Sequence, residues 1–392
     1  MKLAIVRQTY NPNGGAERFV SRALNVLAQD TDLDVTLIAR QWEDAAGWKT
    51  LTVNPAFRNR LDRESGFAAA AAAKFAQFDI VQSHERIPGA TIFRAGDGVH
   101  ATWLEQYNRI QSPLARWAQS LSRYHRYILQ AEAQMFTHPA LRKVICNSKM
   151  VRDDIARRFS LPDDKLTVIY NGVDTAHFSP EVRTLSQRDA LGIPPTAPVL
   201  AYVGSGFSRK GVATALRALV PHPDVWLLIA GRDKHARKFE KLAETLGVAS
   251  RVRFLGPVAD VRQVYGTADA LILPTLYDPF PNVCVEALAC GLPLLTSHGC
   301  GAAEWIKEGV NGWVRDALDS DGYQQVIGHW LQGREQGVDY SAAARATAEP
   351  YTLERMAKEL QALYRDLLRG AAVAKTFSIA SSMHSRVKWL HR

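Results

Sequence analysis

Short apolar runs recur six times in the second half of this sequence, and segments with helical spacing lie between them. Strands that are apolar throughout are buried on both faces, and helices that alternate with them cover a parallel sheet on both sides. The pattern therefore predicts a doubly wound α/β domain. Its predicted strands are Val199–Val203, Val225–Ala230, Val252–Leu255, Ala270–Leu273, Leu292–Leu295 and Gly312–Val314.

The first half of the sequence shows the same alternation less regularly. Between the halves, residues 177–198 contain four prolines, a composition typical of a linker. A chain of 392 residues is long enough for two domains of about 180 residues each. The predicted strands of the first half are Leu3–Val6, Val35–Ile38, Ile80–Gln82, Val144–Cys146 and Leu166–Ile169.

These patterns together predict an α/β protein of two Rossmann-like domains whose parallel sheets face a central cleft. Ligands of such sheets bind at the carboxyl ends of the strands, so the cleft is the expected site. The predicted parts are an N-terminal domain over 1–180, a linker over 181–197, a C-terminal domain over 198–352, a closing helix over 353–370 and a basic tail over 371–392.

The net charge of +9 comes from two neighbourhoods. Residues 101–150 hold seven Lys or Arg against two acids, and residues 371–392 hold four against none. Positive charge confined to two segments indicates two docking surfaces and argues against a protein that binds nucleic acid over its whole surface.

An apolar stripe lies inside the first basic neighbourhood. Its members are spaced to share one face of a helix, and no acid occurs between residues 109 and 130. Two structures fit: a helix on an anionic lipid surface, or an ordinary core-facing helix with arginines on its solvated side. Without a signal-peptide core or a run of ~20 apolar residues, we expect a cytoplasmic protein held peripherally on the inner face of the membrane. The stripe is Leu114, Trp117, Leu121, Tyr124 and Ile128, accompanied by Arg109, Arg116, Arg123 and Arg126.

Two glycine-containing turns follow predicted strands and precede predicted helices. In residues 11–18, Gly14 and Gly15 would let the backbone approach a phosphate, although a plain turn fits equally well. In residues 204–211, Arg209 and Lys210 offer a bidentate donor and a point charge to a diphosphate, against the alternative of a surface charge pair. The second turn has neither Walker A nor dinucleotide spacing, which disfavours a dehydrogenase.

A third motif, residues 278–289, places acids around the start of a helix. Glu286 lies one turn into that helix among apolar neighbours, where an unpaired carboxylate would cost several kcal/mol. The hydroxyls of a ribose could donate the hydrogen bonds that this carboxylate needs. The alternative is a helix-start acid that the helix dipole favours.

These residues resemble a known family. Asp278 and Glu286, separated by seven residues that include Pro281 and Asn282, resemble the E-x7-E motif of glycosyltransferase family 4, the retaining enzymes of the GT-B fold. Gly14-Gly15, residues 171–174 and residues 209–211 are similar to further parts of that pattern, and the likeness spans about residues 1–369. The chain looks most similar to lipopolysaccharide core glucosyltransferases. Asp278 departs from the usual Glu and is one methylene shorter.

The resemblance implies a role for each matching residue. Gly15 and Gly206 would lie against the donor diphosphate, while Arg209 and Lys210 neutralise it and Glu286 holds the ribose. The donor sugar would contact Asp278 and the backbone at Pro281 and Asn282, and Asp97 would reach the sugar or the acceptor. The catalytic set is thus Asp97, Arg209, Lys210 and Asp278; the donor-binding set is Gly15, Gly206, Arg209, Lys210, Pro281, Asn282 and Glu286.

The implied activity is a retaining, metal-independent transfer of a hexose, glucose, from a UDP-sugar to a lipid-linked saccharide, with no cofactor. The Asp-x-Asp pairs at 32–34 and 319–321 are interpreted as surface acids. His84 and His100 lie near predicted cleft edges and are either bases or structural residues. A non-catalytic nucleotide-sugar-binding or membrane-docking component remains the alternative function.

Overall fold

The computed structural model describes residues 2–10, 34–42, 48–184 and 186–369. Within these ranges every pairing between strands is parallel. The strands are β1 (Lys2–Val6), β2 (Thr9–Tyr10), β3 (Asp34–Ala39), β4 (Gln41–Trp42), β5 (Lys49–Thr52), β6 (Ile80–Ser83), β7 (Ile92–Ala95), β8 (Lys143–Cys146), β9 (Leu166–Val168), β10 (Val199–Val203), β11 (Trp226–Ala230), β12 (Val252–Gly256), β13 (Ala270–Leu273), β14 (Leu294–Ser297) and β15 (Gly312–Arg315).

Helices cover both sheets. Within the described ranges they are α1 (Arg60–Ala72), α2 (His100–Asn108), α3 (Pro113–Ser120), α4 (Arg123–Thr137), α5 (Lys149–Phe159), α6 (Ser186–Ala190), α7 (Val212–Ala218), α8 (Ala236–Thr245), α9 (Arg262–Thr267), α10 (Asn282–Ala289), α11 (Ser320–Glu335), α12 (Tyr340–Ala348) and α13 (353–369). None of these helices is long and apolar enough to cross a membrane.

The order of the strands confirms the predicted fold class. In the described residues one sheet runs β5-β3-β1-β6-β7-β8-β9 and the other β12-β11-β10-β13-β14-β15, while β2 and β4 form a separate pair. Each sheet reverses its winding beside its first strand, between β1 and β6 and between β10 and β13. These switch points are where doubly wound sheets open a crevice for ligands.

The strand predictions succeed where the strand is apolar. All six strands predicted in the second half and all five predicted in the first are present, with ends that differ by two residues at most. Besides the two-residue strands β2 and β4, the prediction missed β5 and β7. The sequence of β5, Lys49 to Thr52, is mostly polar, and β7 carries the buried Arg94 in its centre, so neither forms an apolar run.

The chain crosses between the sheets twice, and the two crossings touch. Val173 forms a parallel bridge with Thr352 and donates its N–H to the carbonyl of Tyr351 at 2.9 Å. Gly172 is required there, because a Cβ on it would lie 2.6 Å from the carbonyl oxygen of Thr352. After the second crossing, α13 returns to the N-terminal sheet and packs on Leu3, Leu37 and Ile145 through Leu360, Tyr364 and other apolar side chains.

Residues of the predicted linker pack against the C-terminal sheet. Arg188 on α6 is buried, and its guanidinium donates to the carbonyls of Thr267, Pro195 and Ala197 and to the carboxylate of Asp269. The buried Asp269 carboxylate also accepts the N–H of Val199 at the start of β10. This part of the chain is therefore fixed to the sheet.

The prediction of a single helix through residues 114–128 is wrong. The Ser122 hydroxyl accepts the N–H of His125 and starts α4, just as Ser112 and Pro113 start α3. The apolar stripe is divided accordingly: Leu114, Trp117 and Leu121 are 73%, 63% and 56% exposed, whereas Tyr124 is half-buried and Ile128 is buried. The interpretation as a core-facing helix thus holds for the end of the stripe at Ile128, and the interpretation as a lipid-binding surface stays a prediction for the exposed part.

Candidate active site

A cleft of about 1270 Å³ lies between the carboxyl ends of the two sheets. Loops and helix starts from both domains line it, including the residues after β1, β6 and β7 on one side and those after β10 and β13 on the other. Both switch points therefore open into the same space. Among the described members of the predicted sets, the lining includes Asp97, Arg209, Lys210, Asp278, Pro281, Asn282 and Glu286.

The turn after β10 presents its two cations to this cleft. Gly211 caps α7 with a φ of 81°, and a Cβ on it would lie 2.0 Å from the carbonyl oxygen of Pro274, so only glycine lets the start of α7 approach the end of β13. The backbone of Arg209 is fixed, because its carbonyl accepts the N–H of Leu276 at 2.8 Å. Lys210 is largely buried, and its stem lies along Gly204.

The turn after β13 brings a carboxylate to the same cations. Asp278 Oδ2 lies 2.9 Å from Lys210 Nζ and 3.9 Å from the nearer Arg209 nitrogen. The backbone of Asp278 is fixed on both sides, since its N–H donates to Gly299 and its carbonyl accepts from Gly301, each at 2.9 Å. Asp278 is therefore placed to act on whatever those cations bind.

Glu286 occupies the expected place one turn into α10. It is only 4% exposed, and its Oε2 accepts the hydroxyl of Tyr265 at 3.1 Å. Burial, followed by the charge of Glu286, raises the pKa of Tyr265 well above its ordinary value, so the phenol remains a donor. The carboxylate thus has a protein partner and also lines the cleft, where further hydroxyl donors can reach it.

The opposite wall of the cleft carries Asp97 on the loop after β7. Asp97 is exposed, and the next residue, Gly98, lies so close to the C-terminal domain that a Cβ would be 2.2 Å from the Tyr277 hydroxyl oxygen. That hydroxyl accepts the N–H of Val99 at 2.9 Å. The contact joins the Asp97 loop to the residue that precedes Asp278.

A second contact between the domains runs through buried polar side chains. Arg94 donates to Asn171 Oδ1 at 2.7 Å, and Asn171 Nδ2 donates to Asn282 Oδ1 at 2.7 Å and to the carbonyl of Phe280 at 3.2 Å. Burial lowers the pKa of Arg94 to about 9. The side chain of Asn282, at the first residue of α10, is thus positioned by the N-terminal domain.

Both histidines considered from the sequence line the cleft. His84 is buried and makes a 3.0 Å hydrogen bond with Gln82, and burial lowers its pKa well below the usual value. His100 lies 3.0 Å from His125 and stacks on Trp103, and burial lowers its pKa to about 3. Both imidazoles are neutral near pH 7 and held by protein partners.

The structure places most of the predicted residues together. Gly206 lies in the turn before Arg209, whereas Gly15 and the tail 371–392 lie outside the described residues. Sequence reasoning did not single out Arg94, Tyr265 or Tyr277. A basic residue inside the short apolar sequence Ile92-Phe93-Arg94-Ala95 was a usable signal for the first, and nothing local marks the two tyrosines.

Comparison with known proteins assigns the two halves of the chain to two matching families. Residues 13–177 match glycosyltransferase family 4, and residues 184–347 match the glycosyl transferases group 1. The first range contains every strand of the N-terminal sheet except β1, and the second contains the whole C-terminal sheet.

Proteins named as glycosyltransferases are similar to this chain in sequence. The lipopolysaccharide glucosyltransferase WaaG of Escherichia coli K12 is 29% identical over 244 residues, which is 60% of this chain and 63% of that protein. A D-inositol 3-phosphate glycosyltransferase of Corynebacterium urealyticum is 30% identical over 239 residues, 57% of this chain and 56% of the relative. An uncharacterized glycosyltransferase of Methanocaldococcus jannaschii is 31% identical over 235 residues, 57% and 60% of the two chains. The matches thus span less than two thirds of these relatives.

Solved structures share the fold over nearly the whole chain. The crystal structure of WaaG has a TM-score of 0.77 at 24% identity and covers 91% of this chain and 98% of its own. Anabaena HepE in complex with UDP-glucose has a TM-score of 0.71 at 18% identity and covers 93% and 100%. With two matching families and this fold, the protein belongs to the glycosyltransferases of the GT-B fold and resembles the lipopolysaccharide core glucosyltransferases among them.

Proposed function

We propose that the protein is a retaining glycosyltransferase that moves glucose from UDP-glucose to a lipid-linked saccharide, in the assembly of a lipopolysaccharide core or a related cell-surface glycan. The observation that carries the proposal is the pairing of Arg209 and Lys210 with Glu286 in one cleft at the β10/β13 switch point. Cations can hold the diphosphate of a nucleotide sugar, and a buried carboxylate can accept its ribose hydroxyls.

The choice of donor and acceptor draws on the relatives. HepE, which shares the fold, is described in complex with UDP-glucose, and WaaG is named a lipopolysaccharide glucosyltransferase. Those names apply to those proteins, and they make UDP-glucose and a lipid-linked core saccharide the first donor and acceptor to test here.

The chemistry follows from where charge develops. Cleavage of the bond between the sugar and the diphosphate leaves negative charge on the leaving group, and cations already fixed near it stabilise the transition state without reorganisation. Arg209 and Lys210 supply those cations, and the fixed backbone around them preserves the geometry. Asp278 lies against Lys210, where we assign it to the hydroxyls of the donor sugar and not to a nucleophilic role. The acceptor hydroxyl then attacks from the face of the leaving phosphate, which takes its proton.

We assign no catalytic metal to this reaction. Among the described residues no group of three His, Cys, Asp or Glu side chains is arranged to hold a metal ion. Two members of the Asp-x-Asp pairs have structural partners: Asp34 pairs with Lys49 at 2.6 Å, and Asp319 accepts the N–H of Gly322 at the start of α11.

The acceptor side of the cleft is proposed to face a membrane. Leu114, Trp117 and Leu121 are exposed around α3, and Arg116 and Arg123 are exposed beside them. Apolar and basic side chains together on one short surface suit an anionic lipid interface, and this supports the proposal of a protein bound peripherally at the inner face of the cytoplasmic membrane.

The experiment that tests the proposal measures donor hydrolysis and transfer over a panel of UDP-, GDP- and ADP-sugars. We expect turnover with UDP-glucose and transfer to a lipid-linked core saccharide with retention of the anomeric configuration. Binding of UDP without turnover of any sugar nucleotide would favour a non-catalytic docking component. Absence of nucleotide binding altogether would refute the assignment of the site.

A further inference from the structure

A fixed carboxylate lies against the cation that the proposed function gives to the donor diphosphate. The Asp278 and Lys210 side chains, 2.9 Å apart, are only 14% and 11% exposed. An ion pair this sheltered is weakly screened by water and salt, so it contributes more than an exposed pair would. A diphosphate that approaches Lys210 therefore competes with a carboxylate of the same sign.

Asp278 has little freedom to move away from that competition. Its N–H and its carbonyl are both held by the segment 299–301, and a Cβ on Gly301 would lie 1.7 Å from the carbonyl oxygen of Pro279, so the two segments are packed backbone to backbone. With its backbone held, Asp278 itself can leave Lys210 only by rotation of its short side chain. The Asp at this position has one methylene fewer than the Glu expected from the family resemblance, which limits that rotation further.

We propose that Asp278 lowers the affinity of the site for the nucleoside diphosphate product and thereby promotes its release. The inference rests on the proposed function. With a sugar nucleotide, the hydroxyls of the sugar donate to the carboxylate and offset its repulsion of the diphosphate. Once the sugar has been transferred, the carboxylate has no such donors and competes with the bound diphosphate for Lys210.

The test measures the affinity of UDP for the full chain by calorimetry. Asp278→Asn keeps the shape of the side chain and removes its charge, so UDP should bind about tenfold more tightly, as expected for the loss of one unit charge a few ångströms from the phosphates. The rate of UDP dissociation should fall by a similar factor, because affinity changes at one site act mainly on dissociation. Unchanged or weaker UDP binding by the folded variant would overturn the inference.

Three further variants isolate the cause. Glu240→Gln removes one negative charge from the exposed face of α8 and should leave UDP affinity unchanged. In the Lys210→Ala background, Asp278→Asn should have a smaller effect, because the competition for the lysine is gone and only the direct repulsion between the carboxylate and the diphosphate is left to remove. Should the Asn variant fail to fold, Asp278→Ser provides the same measurement. A parent protein that does not bind UDP would refute the proposed function itself, a result distinct from an unaltered affinity in the Asp278 variants.

Discussion

The two domains share one architecture, yet their walls of the cleft are built differently. The C-terminal wall has its charged side chains in turns directly after apolar strands, with Arg209, Lys210 and Asp278 facing one another across the switch point. The N-terminal wall places polar groups inside its strands, such as Gln82 in β6 and Arg94 in β7, and covers them. The charges of the C-terminal wall thus lie in turns that line the cleft, whereas the N-terminal wall also has polar groups within its strands.

This difference indicates a division of labour. Arg209 and Lys210 line the cleft together with Glu286 and suit a small, highly charged ligand, which we assign to the C-terminal wall. Buried polar groups that reach the partner domain, as Arg94 does through Asn171, hold the two walls in register. In the proposed function, the N-terminal domain contributes its outer surface around α3 to the contact with lipid.

Removal of Lys210 should have the largest effect and could break the assignment of the donor to the C-terminal wall. Lys210→Ala removes one preorganised cation from the leaving group, so the activation free energy should rise by about 2–4 kcal/mol and turnover should fall accordingly. The loss of binding free energy for the donor should be smaller than this. Steady-state and single-turnover kinetics with UDP-glucose measure both quantities. Lys238→Ala, on the exposed face of α8, is the matched control and should behave like the parent. If Lys210→Ala turned over as fast as the parent, Lys210 would have no role in stabilising the leaving group.

Neutralising Glu286 sharpens the same assignment. Glu286→Gln retains the shape and the contact with Tyr265 but weakens hydrogen bonds to the ribose, so UDP affinity should fall by about 1.5–3 kcal/mol. Calorimetry with UDP and with its 2′- and 3′-deoxy forms shows whether the loss depends on the hydroxyls. Glu244→Gln on α8 serves as the control. Equal affinities for UDP in Glu286→Gln and the parent would make Glu286 a structural acid only.

A single arginine on the N-terminal side tests the other half of the comparison. Arg116→Gln should weaken binding to anionic vesicles by about 1 kcal/mol, roughly fivefold, while hydrolysis of UDP-glucose in solution is unchanged. Flotation with vesicles of anionic and neutral lipid measures the effect, and added salt should reproduce it. Arg237→Gln, exposed on the C-terminal domain, should bind like the parent. If the protein bound anionic and neutral vesicles equally well, and Arg116→Gln bound them like the parent, α3 would be excluded as the docking surface.

The smallest expected effect is that of a chelator. Because the charge of the leaving group is assigned to Arg209 and Lys210, activity should persist in EDTA. The measurement compares turnover before and after chelation and after Mg²⁺ or Mn²⁺ is added back. If EDTA abolished turnover and either metal restored it, a bound metal ion would be needed to stabilise the charge of the leaving group.

How much the sequence could predict follows from the same contrast. Apolar strands and the turns after them were predicted with both cations and both acids of the C-terminal wall, because burial and turn chemistry are local properties. β7 was missed because Arg94 interrupts its apolar run. The break between α3 and α4 was missed because Ser122, which caps α4, is one of several polar residues in that segment. Tyr277 and Tyr265 could not be found, since each acts on a residue brought close only by the tertiary fold.

The double crossing at Gly172 has a consequence for the order of folding on the ribosome. Leu3, Leu37 and Ile145 belong to the N-terminal sheet, yet the helix that covers them, α13, is synthesised after the entire C-terminal domain. An apolar face of the N-terminal sheet therefore leaves the ribosome without the helix that covers it. About 200 further residues must be synthesised before α13 is complete, which takes some 10–40 s at typical bacterial and eukaryotic rates. The C-terminal domain can complete its own core in that interval, so the half that is translated first is the half that is finished last.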